Sequence, residues 1–146
     1  MGMLLREAEV VYTGRRIEAS RQIHSSSDAA QILIQFGIAR RAQESFVVMY
    51  LNGKHHCLAV QTVALGTLNS CEIHPREVFR GAIMAGAQAV IVAHNHPGGD
   101  PTPSRDDVAL TARLQAVGDL VGIPVLDHLI LTLDGNWQSI ASNSQM

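Results

Sequence analysis

Apolar positions along the chain alternate between two spacings. After Ser25-Ser26-Ser27-Asp28, which supplies N-cap candidates, Ala29, Ile32, Leu33 and Phe36 fall near helical intervals. This spacing predicts a helix from Ala29 to about Arg41, interrupted near Gly37. Residues 45–51 (SFVVMYL) are rich in β-formers and end at Asn52-Gly53, and a second such run spans Cys57 to Leu65. Asn-Gly between two apolar runs predicts a hairpin. Gly66 ends it, and Thr67 to Ile73 reads as loop or a short strand. His74-Pro75-Arg76-Glu77 starts a second helix with proline at its first position. Val78, Phe79, Ile83 and Met84 extend that helix to about Gln88. Ala89-Val90-Ile91-Val92-Ala93 is wholly apolar, as expected of a central strand covered on both faces. Beyond the Gly/Pro/Asp loop from Pro97 to Pro103, Ser104 opens a third helix carrying Val108, Leu110, Leu114 and Val117, which ends near Gly118 to Gly122. Ile123 to Leu133 is a strand, Asp134-Gly135 a second hairpin turn, and Trp137 to Ala141 the last strand. Near the N-terminus MLLREAEVVYT reads as a strand or arm, and the tail SNSQM as frayed.

The order helix, hairpin, helix, strand, helix, hairpin predicts an α/β layered domain, a mixed sheet flanked by helices. A chain of 146 residues fits one such domain, and 47% apolar residues suffice for its core. The expected organisation is an N-terminal arm over residues 1–27, one domain over 28–141 and a tail over 142–146. The net charge is −2, Lys54 is the sole lysine, and Arg15-Arg16 and Arg40-Arg41 are the basic doublets. Such a distribution gives little support to direct DNA binding. Two cysteines, Cys57 and Cys71, are too few for a disulfide scaffold and form no CxxC motif, which points to a reduced, cytoplasmic chain. No segment is long and apolar enough for a membrane span, and the N-terminus lacks a signal-peptide pattern.

Candidate chemistry begins at AHNHPGG, residues 93–99. Residues i and i+2 of a strand share a face, so His94 and His96 project together if the strand persists through His96. Two imidazoles so placed can share a metal ion, and a catalytic zinc takes three protein ligands. Asp107, eleven residues past His96, is a candidate third ligand. Taken alone it reads better as a helix cap, because Ser104-Arg105-Asp106-Asp107 resembles a capping box and an acid there suits the helix dipole. Ser104 likewise reads as an N-cap. Among the acids, Glu44, Glu72 and Glu77 are all plausible, and spacing does not choose between them. His24, His55, His56 and His74 have no partner pattern and read as surface or capping residues. Asp127 and His128 form either a carboxylate-supported histidine beside a metal or a satisfied buried polar pair.

The string HNHPGGDPTPSRDD resembles the signature of the JAMM metalloproteases: H-x-H, seven residues, S-x-x-D. His94, His96, Ser104 and Asp107 match it in type and spacing. Within that fold the chain resembles the RadC family more closely. Residues 94–99 match its HNHPSG-type string with Gly98 for Ser, PREVFR at 75–80 matches its second-helix motif, and Asp127-His128-Leu129-Ile130 matches its DH-[LI]-I segment. The resemblance covers about residues 28–141.

The resemblance implies a cytidine-deaminase-like JAB/MPN fold and zinc-dependent hydrolysis of a peptide or isopeptide bond. His94, His96 and Asp107 would hold Zn²⁺, Glu44 would be the general base, and Ser104 would donate to the oxyanion. Its partner is then a peptide or protein substrate. Longer relatives carry an N-terminal helix-hairpin-helix module, and this chain looks like the short stand-alone form. Asn95 stands where deubiquitinating relatives have Ser or Thr, which argues against assuming ubiquitin-like substrates. The competing reading is a non-catalytic binding domain associated with DNA repair. An HNH nuclease is rejected, because its residues are spread over a hairpin and helix rather than adjacent.

Overall fold

The computed structural model describes residues 22–66 and 73–141, with Gly2. The expected N-terminal arm, the 67–72 stretch with Cys71 and Glu72, and the C-terminal tail lie outside the described residues. Helix α1 (Ser26–Phe36) starts at Ser25, whose side chain accepts the Asp28 N–H. It stops at Gly37, whose positive φ of 94° ends the helix with its N–H on the Leu33 and Ile34 carbonyls. One 3-10 turn, Ile38–Arg40, follows. Gly37 is thus the physical cause of the interruption read from the sequence.

Strands β1 (Ser45–Leu51) and β2 (Cys57–Leu65) form the expected hairpin. Its connection is longer than a two-residue Asn-Gly turn. Asn52 Oδ1 accepts the N–H groups of Lys54 and His56 at 2.9 Å each, and the positive φ falls on His55. The asparagine therefore organises the loop through its side chain. Helix α2 (Pro75–Met84) is capped by His74, whose Nδ1 accepts the Arg76 N–H. It ends four residues short of the predicted Gln88, because Gly86 turns into the left-handed region. Strand β3 (Ala89–His96), helix α3 (Arg105–Val121), strand β4 (Val125–Thr132) and strand β5 (Trp137–Ser139) complete the order. β5 is shorter than the sequence pattern suggested.

The five strands form one mixed sheet in the order β2-β1-β3-β4-β5. β1 runs antiparallel to β2 and β3, β3 parallel to β4, and β5 antiparallel to β4. Period-2 alternation divides the core in two. Val47, Met49, Leu51, Ile91, Ala93, Leu129 and Leu131 pack toward α1 and the 3-10 turn. Phe46, Val48, Tyr50, Val90 and Val92 pack toward α2 and α3. This explains the uninterrupted apolar run of β3, which is buried from both sides. Helix α3 lies close to the segment that follows it: a Cβ added at Gly118 would stand 2.6 Å from the Ile123 carbonyl oxygen and 3.3 Å from Phe79 and Val125. Among the described residues no helix is long and apolar enough to cross a membrane.

Candidate metal centre

β3 keeps strand geometry through His96, so the alternation carrying Val90 and Val92 to the α2/α3 face carries His94 and His96 there too. Their Nε2 atoms stand 2.9 Å apart. Asp107, in the first turn of α3, brings Oδ1 to 3.5 Å from His94 Nε2 and Oδ2 to 3.8 Å from His96 Nε2. The loop between them is tied to the site: His96 Nδ1 lies 3.0 Å from the Asp100 carbonyl, and Asp100 Oδ1 accepts the Thr102 N–H.

Cap and ligand turn out to be compatible roles for Asp107. The Ser104 N–H donates to Asp107 Oδ2 at 2.8 Å, and the Asp107 N–H donates to Ser104 Oγ at 3.0 Å, a complete capping box. The cap uses one carboxylate oxygen and turns the group so that Oδ1 faces His94.

His94 is buried, while His96 and Asp107 are half-buried, so the group opens to solvent on one side. Burial pushes the His94 pKa down to about 4. Asp107 opposes that shift, His96 adds to it, and Glu44 opposes it. His94 is therefore neutral near pH 7. At His96 the Asp100 carbonyl can only accept, so Nδ1 donates there, and Nε2 is the nitrogen turned to His94 and Asp107. Two imidazoles beside a carboxylate are a donor set suited to a divalent cation. A tetrahedral ion with bonds of about 2.0–2.1 Å spaces its ligand atoms by roughly 3.3 Å. The separations of 2.9, 3.5 and 3.8 Å bracket that spacing. His94, His96 and Asp107 thus form a group that could hold a metal ion.

Glu44 precedes β1, two residues before Phe46, which is the partner of His94 across the β1–β3 ladder. Its carbonyl accepts the Gly66 N–H at 2.9 Å, and its charge acts on His94. Glu44 thus lies in the electrostatic neighbourhood of His94. Its placement depends on Asn95, which points to the opposite sheet face and is fully buried. Asn95 Oδ1 accepts from the Ser45 N–H at 2.7 Å and the Ser45 hydroxyl at 3.0 Å. Its Nδ2 donates to the carbonyls of Arg41 and Gln43 at 3.1 and 3.0 Å. Buried and engaged in this way, Asn95 is a brace for residues 41–45.

Asp127 and His128 separate for the same alternation reason. Asp127 faces α1, where its carboxylate accepts from the hydroxyls of Ser26 and Ser139 and the N–H groups of His128 and Ala141. It is a satisfied buried polar group, with no side-chain contact to the histidine cluster. His128 faces the cluster: its Nε2 is 2.7 Å from His94 Nδ1, and its Nδ1 is 2.7 Å from Thr111 Oγ1. Phe46 stacks on His94 at 6.2 Å and meets His128 edge-on at 5.5 Å, closing the buried side. Neither Phe46 nor Thr111 stands out in the sequence. The signal available for His128 was its even register with Ile130 and Thr132 on β4.

A family profile described as "RadC-like JAB domain" matches residues 23–145. A UPF0758 protein of Halalkalibacterium halodurans is 42% identical over 135 residues, covering 86% of this chain and 58% of the relative. A UPF0758 protein of Staphylococcus haemolyticus is 49% identical over 110 residues, covering 75% and 48%. A third, from Caldanaerobacter subterraneus, is 43% identical over 126 residues, covering 83% and 54%. The chain spans about half the length of the curated relatives it matches.

Proposed function

The chain belongs to the RadC-like JAB domain family, and from that premise we propose that it is a zinc-dependent hydrolase of peptide or isopeptide bonds. The observation that carries the reading is the convergence of two imidazoles and a carboxylate at the end of a central strand, with Glu44 acting on the same histidine. His94, His96 and Asp107 would hold the ion. When bound there, zinc supplies Lewis-acid activation of a water and polarises the scissile carbonyl. Glu44 takes a proton from the attacking water and delivers it to the leaving nitrogen as the carbon–nitrogen bond breaks. Ser104 spends an oxygen lone pair on the Asp107 N–H, which leaves its hydroxyl proton for the carbonyl oxygen as that atom gains negative charge. Phe46 and the buried side of His94 exclude water from behind the site. A free thiol at Cys57 fits a cytoplasmic location.

Metal analysis of protein purified without chelator tests the first half of this reading. We expect one zinc per chain, lost in His96→Ala while the far-UV circular dichroism is kept. Glu44→Gln should keep zinc and abolish cleavage of peptides selected by the wild-type chain from an unbiased library. Protein that neither carries zinc nor takes it up would end the hydrolase reading. Salt-sensitive binding to duplex DNA without any cleavage would favour a non-catalytic role instead.

A further inference from the structure

A buried hydrogen-bond chain runs from the backbone of α3 to the inner nitrogen of His94, and the direction of each bond in it can be assigned. It begins at the Asp107 carbonyl, which lies 2.7 Å from Thr111 Oγ1. A carbonyl has no proton to give, so the Thr111 hydroxyl donates to it. Thr111 has only that one proton. Its contact of 2.7 Å with His128 Nδ1 must therefore be made by a proton on the imidazole. His128 is fully buried beneath Phe46, where its two nitrogens meet the neutral partners Thr111 Oγ1 and His94 Nδ1 and an unpaired charge would be costly, so it carries a single ring proton. With that proton on Nδ1, His128 Nε2 presents a lone pair to His94 Nδ1 at 2.7 Å. His94 must donate there, which leaves the lone pair of His94 on Nε2, the atom facing His96 and Asp107.

We propose that Thr111 and His128 are positioning residues that lock His94 in the tautomer protonated on Nδ1, so that its Nε2 lone pair is aimed at the ligand cluster before any metal arrives. One helical turn then orients two of the three ligand groups. Asp107 is held by its own cap, and Thr111, four residues on, sets His94 through His128. Histidine ligands whose second nitrogen is fixed in this way bind metal more tightly, and loss of the outer partner commonly costs about 10–100-fold in affinity. The inference rests on the reading of His94 as a ligand only for its consequence, because the tautomer itself is a property of the metal-free chain.

The test begins with the metal-free chain of 146 residues and long-range proton–nitrogen NMR correlations of the imidazoles. Protons on Nδ1 of both His94 and His128 are expected. Thr111→Val keeps the side-chain shape and removes the acceptor for His128, so the His94 ring should show a mixed or reversed tautomer. The zinc dissociation constant, measured by competition with a chromogenic chelator, should rise about 10–100-fold. Thr111→Ser restores the hydroxyl and should restore both. A wild-type His94 protonated on Nε2, or a Thr111→Val protein with unchanged tautomer and unchanged zinc affinity, overturns the proposal. If the wild-type tautomers are as stated and depend on Thr111 but zinc does not bind, the locking of His94 stands and the hydrolase reading falls. If zinc binds and the tautomers differ, the reverse holds.

Discussion

Asn95 Oδ1 accepts the Ser45 N–H at 2.7 Å, tying the strand that holds two candidate ligands to the strand that Glu44 leads into. The same amide holds the Arg41 and Gln43 carbonyls, so residues 41–45 are braced by one buried side chain. Asn95→Ala would strand the Ser45 N–H and two carbonyls at a buried position. The expected loss is roughly 3 kcal/mol of unfolding free energy, read by urea denaturation of metal-free protein. Asn95→Asp keeps an acceptor for Ser45 but sets carboxylate oxygen against two carbonyls, so it should be no more stable than the alanine variant. An Asn95→Ala protein within 0.5 kcal/mol of wild type would mean that the brace is dispensable.

Cap and ligand roles at Asp107 can be separated by substitution. Asp107→Asn retains an oxygen for the Ser104 N–H but loses the charge. Metal-free stability should change little, while zinc affinity drops by at least about tenfold. Ser104→Ala should do the opposite, costing about 1 kcal/mol of stability through the lost cap and leaving zinc bound. If Ser104 also serves the developing oxyanion, cleavage by that variant slows by roughly 10²–10³. Equal zinc affinity in Asp107→Asn and wild type would remove Asp107 from the ligand set.

The elements and the His94, His96, Asp107 cluster were legible because each rests on short-range signals: period-2 runs, a helix-breaking glycine at 37, proline at the first position of α2, and H-x-H followed by S-x-x-D. What stayed hidden depends on pairing. Asp127 and His128 are adjacent in sequence, yet only the sheet's division into two faces shows that His128 meets His94 while Asp127 meets Ser26 and Ser139. Asn95 sits between His94 and His96 in the sequence. Strand alternation instead turns it away from them, toward Arg41, Gln43 and Ser45. Thr111 offers no sequence signal, since its role depends on α3 lying across β4.

That crossing of α3 over β4 depends on close packing at Gly118. A methyl group there would press on the Ile123 carbonyl, a backbone atom that cannot swing aside, and on Phe79 and Val125. The gain in helix propensity from Gly to Ala, about 1 kcal/mol, works in the other direction. Overpacking of this kind costs about 1–3 kcal/mol, so Gly118→Ala should be net destabilising or at best neutral. A clear rise in thermal midpoint would show that the helix has room to shift.

Acidification probes the histidine cluster directly. In chelated protein, burial holds the folded-state pKa of His94 at about 4, below an ordinary value of 6.5. Between those two values the unfolded chain binds more protons than the folded one, so stability rises with pH across that window. It is complete above about pH 6.5 and is lost as pH falls toward 4. For His94 the loss is on the order of 3 kcal/mol. His128 is shifted in the same direction by burial and adds to the loss. The thermal midpoint of chelated protein should therefore fall steeply between pH 6.5 and 4. Carboxylates also begin to titrate near the lower limit, so the informative comparison is His94→Gln, whose profile should be flatter between pH 6.5 and 5. Zinc sharpens the contrast because it binds only unprotonated imidazole. The gap in midpoint between zinc-loaded and chelated wild type should widen from pH 5 to pH 7. A chelated wild type whose midpoint is flat from pH 7 to 4.5 would mean that His94 accepts its proton in the folded chain, and that the cluster is wet rather than closed beneath Phe46.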